Sequence, residues 1–132
     1  MSIEDLGRRA TACKHWRWMD GMTVHGLPTY RVVSNNCDGH TYRTDGYDSD
    51  SLRDCVPDLS DPATLGCLLA LVGEAWNACR ISVCFSAYAP DETKRWSVPI
   101  SFFKEQRDLV HVPSFYGSTQ AEALVAALEA AP

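Results

Sequence analysis

The stretch from Asp61 to Trp76 constrains the fold of this chain more than any other. Asp61-Pro62 is a helix start, with Asp61 placed to cap and Pro62 at the first helical position, where its missing N–H is not needed. The helix is predicted to run to about Trp76. Leu65, Leu68, Leu69, Val72 and Trp76 form a broad apolar stripe, and Cys67, Ala70, Leu71 and Ala75 make most of the remaining circumference apolar. Such a helix is expected to be buried on more than one side, and the rest of the chain has to supply the cover. With 132 residues, two cores would each be marginal, so residues 1–132 are read as one domain. A helix this apolar in so short a chain also raises the expectation of a homodimer.

The flanking elements follow from periodicity. Ser2 to Lys14 is predicted as a helix, capped by Ser2 with Asp5 three residues on, and with Ile3, Leu6, Ala10 and Cys13 on one face. Gly7 in its middle costs about 1 kcal/mol relative to alanine, which hints at close packing there. Thr23 to Asn36 turns β-prone and is expected as one strand, with Tyr30, Val32 and Ser34 facing opposite to Arg31 and Val33. Residues 35–61, rich in Asn, Asp, Gly and Ser, are expected as a long polar and acidic loop.

Beyond the central helix, Ile81 to Tyr88 alternates, and Trp96, Val98, Ile100 and Phe102 resume the alternation after turn material at residues 89–94. The pair is expected as an antiparallel hairpin. Pro99 lacks a donor, so its strand should lie at an edge or have that N side unpaired. Leu109 to Val112 offers a further short strand. Thr119 and Glu122 form a capping box before a last helix with Ala121, Leu124, Val125 and Leu128 as its stripe. The expected class is therefore α+β: a small, mainly antiparallel sheet covered by three helices, in the order α-β-loop-α-β-β-(β)-α.

Composition removes several function classes. The hydrophobic fraction of 45% and charged fraction of 22% are globular values. A net charge of -5 with only 12 Lys and Arg argues against coating a nucleic acid. The acidic N-terminus does not read as a signal peptide, no apolar run reaches the roughly 20 residues of a membrane span, and the cysteines at 13, 37, 55, 67, 79 and 84 are read as reduced thiols. A cytoplasmic location is expected.

The most distinctive chemistry is Lys14-His15-Trp16-Arg17-Trp18-Met19. A base-like ring can stack on Trp16 or Trp18 while Lys14 or Arg17 meets a phosphate, with Arg31 and Arg80, together with Tyr30 and Trp76, as further members of the pocket if the sheet edge lies near. The competing reading, ranked first, makes the two indoles core anchors at a helix-to-strand transition. Cys37, His40 and Cys55 could supply three zinc ligands, and Asp45, Asp48, Asp50 and Asp54 could gather at a cation, but neither set has a known ligand spacing. No metal or cofactor is expected. No G-x-S-x-G, Walker A or G-x-G-x-x-G motif occurs, which leaves for catalysis only Cys37, Cys55 or a serine paired with His40 or His111.

Three stretches carry a resemblance: Asp5-Leu6-Gly7-Arg8-Arg9 through Cys13 to Met19, then Pro57-Asp58-Leu59-Ser60-Asp61-Pro62 into the central helix, then Ala121-Glu122-Ala123-Leu124. Together they resemble small tailed-phage and prophage proteins similar in element order to the phage ABA-sandwich domain family. The resemblance implies a helix-covered sheet and an accessory role in infection, within the cytoplasm of an infected or lysogenic bacterium. It carries over no catalytic residue. The functions expected of the chain, in order, are a non-enzymatic binding protein that sequesters a nucleotide-derived or other small phosphorylated ligand, as a host-defence antagonist; a protein-interaction module that inhibits a host protein; and a small hydrolase using residues 37–58.

Overall fold

The computed structural model describes residues 1–34, 41–43 and 55–132, with the backbone alone at 27–31, 33–34 and 41–43. The chain divides into two compact units, Met1–Cys67 and Leu68–Pro132. The expected α+β class is present: among the described residues there are three α-helices and seven strands, all strand pairs antiparallel.

In the first unit, helix α1 (Ile3–Thr11) starts where its cap predicts. Ser2 Oγ accepts from the Asp5 backbone N–H at 3.0 Å and donates to the Asp5 carboxylate at 2.7 Å. Glu4 and Arg8 pair one turn apart on the exposed side. Leu6, Gly7 and Ala10 are buried, and the helix stops at Thr11 rather than running on to Lys14. The hint at Gly7 has a cause: a Cβ there would stand 2.3 Å from Val56 Cγ1 and 3.0 Å from the Pro57 carbonyl oxygen. Only glycine lets α1 approach that backbone so closely.

The strand expected over 23–36 is in fact a hairpin. Strand β1 (Thr23–Val24) turns at His25-Gly26, where Gly26 has φ +79°, and returns as β2 (Leu27–Ser34). The expectation missed the turn because the β-branched residues on both sides mask a single glycine. The loop expected over 35–61 is also interrupted. Strand β3 (Thr41–Arg43) pairs with the end of β2. Further on, residues 56–58 run beside β1: the His25 N–H donates to Val56 O at 2.7 Å and the Asp58 N–H to Thr23 O at 2.8 Å. Residues 35–40 and 44–54 lie outside the described residues. Among the described residues of this unit, Leu6, Ala10, Met22, Val24, Val32 and Leu59 are buried and apolar.

Helix α2 (Pro62–Ala75) begins as its cap predicts, with Asp61 Oδ2 accepting from the Thr64 N–H at 2.9 Å. Its burial is narrower than expected. Thr64, Leu68, Leu71 and Val72 are buried and Leu65 and Leu69 half-buried, while Ala63, Gly66, Ala70 and Glu74 line an exposed side. Small residues there give the helix its apolar look without requiring cover.

In the second unit, β4 (Arg80–Ile81) and β5 (Cys84–Phe85) pair with β6 (Trp96–Glu105), which pairs along its length with β7 (Asp108–Gly117). Because β7 occupies one side of β6 throughout, β4 and β5 share the other. Strand β6 is thus central, and of the two outcomes Pro99 allowed, an edge strand or an unpaired N side, the second is the one found. The missing donor is absorbed by interruptions on both sides. Ile81↔Ile100 and Cys84↔Ser97 keep one register, yet the ladder lapses between them, opposite Val98-Pro99, and splits the strand expected over 81–88. Toward β7 the register shifts between Val98 and Ile100, so that Pro99 faces the bulge containing Pro113. Strand β7 also extends well beyond the expected 109–112.

Helix α3 (Gln120–Glu129) is capped by Thr119, whose hydroxyl accepts from the Glu122 N–H. The return bond of the expected box is displaced by one residue, since Glu122 Oε2 accepts from the N–H and hydroxyl of Ser118. The helix packs on β6 and β7, burying Ala121, Leu124, Val125 and Leu128 as expected, with Ala123 and Ala127 besides. Trp76 lies 6.4 Å from Phe102 and 5.7 Å from Phe115, centroid to centroid, and its Nε1–H donates to Ala127 O at 2.8 Å. One face of this sheet is therefore covered and the other open.

Candidate functional site

The segment after α1 leaves the helix through a Trp16 N–H to Cys13 O bond of 3.0 Å, and brings its two indoles together. Trp16 and Trp18 meet edge to face, 5.6 Å apart at 82°. Both are half-buried, and Lys14 and Arg17 are exposed. Trp16 Nε1 is buried with no hydrogen-bond partner among the described residues. The two indoles thus pack on each other, with the exposed side chains of Lys14 and Arg17 adjacent in the chain.

The remaining sequence candidates are placed as follows along the two units. Arg31 lies in β2 opposite Thr23, with its side chain outside the described residues, as is that of Tyr30. Arg80 belongs to the second unit and is exposed in β4. Trp76 is engaged in the packing of that unit. Cys37, His40 and the aspartates at 45, 48, 50 and 54 lie outside the described residues. Among the described residues no group of three His, Cys, Asp or Glu gathers as a metal site, and no helix is long and apolar enough to cross a membrane.

A second arrangement appears only with the strand register. Side chains alternate across a sheet, so with Ile100, Phe102, Val110, Val112 and Phe115 on the covered face, the open face carries Arg80, Ser101, Phe103, Leu109, His111 and Tyr116. Arg80, Ser101 and His111 form one row across β4, β6 and β7. Ser101 Oγ lies 2.8 Å from His111 Nδ1. Ser101 is 7% exposed, whereas Arg80 and His111 are exposed. The next row is Phe103 opposite Leu109, both exposed. Toward the other end Lys94 Nζ lies 5.9 Å from the Tyr116 ring centroid.

The serine and histidine correspond to one of the pairings left open by the sequence. A triad, however, needs a third group to orient the imidazole, and among the described residues no carboxylate pairs with His111. What the row offers is a cation, a hydroxyl and an imidazole side by side. The signal for it in the sequence was the short strand-like run at 109–112; the pairing of Ser101 with His111 was not visible there.

The fold and these surfaces define an α+β protein with an open antiparallel sheet. No protein-family model, curated protein or solved structure matches the chain.

Proposed function

We propose that this chain is a non-enzymatic binding protein that sequesters a small phosphorylated, nucleotide-like ligand, as an accessory protein of a phage or prophage acting in the bacterial cytoplasm. The observation that supports ligand binding is the open face of the second unit, where exposed Phe103, Leu109 and Tyr116 are set beside Arg80, His111 and Lys94. Exposed aromatics interleaved with cations suit a ligand with a flat ring and a negative charge. The phage setting is supported by the sequence resemblance at both ends and the middle of the chain.

Thermal denaturation with a panel of mono- and dinucleotides tests this reading. A ligand present at a hundred times its Kd should stabilise the chain by about 2.7 kcal/mol. A flat response across the whole panel would remove the reading.

One observation favours a protein partner instead. Tyr88 is 96% exposed in the turn after β5, and Phe85 is exposed close by in the chain. A pair of solvated aromatics beside a short strand suits insertion into a pocket on a host protein. Under that reading, Tyr88→Ala abolishes capture of a stoichiometric host partner and leaves nucleotide stabilisation unchanged.

A further inference from the structure

Two adjacent rows of the open face differ in chemistry. Arg80, Ser101 and His111 make one; Phe103 and Leu109, two residues along β6 and β7, make the other. Two residues of strand span about 6.6–6.8 Å. A nucleoside monophosphate covers that span between its base and its phosphate.

The polar row is built for an anion. Arg80 makes no ion pair among the described residues, and its guanidinium is a planar fork of donors that fits phosphate oxygens. Ser101 Oγ engages Nδ1 of His111, which leaves the exposed Nε2 edge of the ring turned away from that bond; in the tautomer where the hydroxyl donates to Nδ1, Nε2–H is a second donor. The apolar row is built for a ring: Phe103 is 50% and Leu109 40% exposed. The carboxylates next in register, Glu105 opposite Asp108, lie beyond the apolar row, away from the phosphate end. A chain of net charge -5 disfavours a long polyanion, which narrows the occupant to a free nucleotide.

We propose that this two-row patch binds a nucleoside monophosphate, its base lying on Phe103 against Leu109 and its phosphate held by Arg80 and His111. The assignment rests on the binding reading above and gives it a location and a ligand class.

An amide-resolved NMR titration of the full chain with AMP, adenosine, ribose 5-phosphate and a short single-stranded oligonucleotide tests it. AMP should shift Arg80, Ser101, Phe103, Leu109 and His111, with adenosine and ribose 5-phosphate each moving one row. Arg80→Lys, which keeps the charge without the fork, and Phe103→Ala should each weaken AMP about tenfold or more while spectral dispersion reports an intact fold. AMP shifts confined to Trp16 and Trp18 overturn this location and leave the binding reading standing. Tighter binding of the oligonucleotide, or ligand-free shifts of the open face that grow with protein concentration, overturns the free-nucleotide assignment. Silence toward all four probes overturns the patch, and the binding reading falls with it only if the thermal panel is also flat.

Discussion

The Thr64 hydroxyl accepts a 2.8 Å hydrogen bond from the backbone N–H of Thr23 and donates at 2.9 Å to Asp61 Oδ2. Thr64 is fully buried and Thr23 nearly so. One side chain therefore connects the first residue of β1 to the cap of α2.

Thr64→Val keeps the shape and removes both bonds, stranding a buried N–H. The expected loss is about 1–3 kcal/mol, measured by urea unfolding. Thr64→Ser, which retains the hydroxyl, should cost less than the valine variant.

Gly7→Ala sets two effects against each other. Helix propensity favours alanine by about 1 kcal/mol. The new Cβ, 2.3 Å from Val56 Cγ1 and 3.0 Å from the Pro57 carbonyl, forces α1 away from residues 56–57. A net destabilisation of about 1–3 kcal/mol is expected in chemical denaturation. A stabilised Gly7→Ala variant would contradict the close approach.

Trp16→Phe removes a buried donor with no partner among the described residues while keeping a ring against Trp18. Because an unsatisfied donor carries a desolvation cost, this variant should retain most of the stability, whereas Trp16→Ala should lose about 3 kcal/mol. Unfolding midpoints of the two variants compare them directly.

Hydrogen bonds from the Ser118 hydroxyl, and then from its N–H, hold the Glu122 carboxyl below its ordinary value of 4.5, against an opposing effect of burial. A depressed folded-state value means that the ionised form is the one the fold stabilises. That contribution is complete above the ordinary value and disappears as pH falls through the lower, folded-state value. Glu122→Gln should therefore flatten the acid limb of the stability profile, because the variant lacks the share of the wild-type loss below about pH 5 that this carboxyl contributes. Parallel urea titrations across that range measure it.

Burial pushes the Cys67 thiol up, and Asp20 and Asp61 add to the shift; the thiol also donates to Asp20 O at 3.4 Å. Cys79 and Cys84 are exposed. Under limiting iodoacetamide near pH 8, mass spectrometry should find Cys79 and Cys84 alkylated well before Cys67.

The parts of this protein legible along the chain are those closed by neighbours in sequence. Ser2 with Asp5, Asp61 with Thr64, and Thr119 with Glu122 each complete their bonds within one helical turn, so all three helix starts could be read directly. The indoles of Trp16 and Trp18 were visible as a pair for the same reason. Their edge-to-face contact and half-burial were not, because burial depends on what packs around them.

Tertiary structure decided the sheet. Pro99 has one local meaning, a missing donor, and it is compatible with an edge strand or with a central strand interrupted on both sides; only the pairing partners choose between them. The row of Arg80, Ser101 and His111 likewise exists because β4 and β7 flank the same stretch of β6. A helix cap is set by covalent proximity, whereas a row across a sheet is set by register, and register is decided by the packing of whole strands.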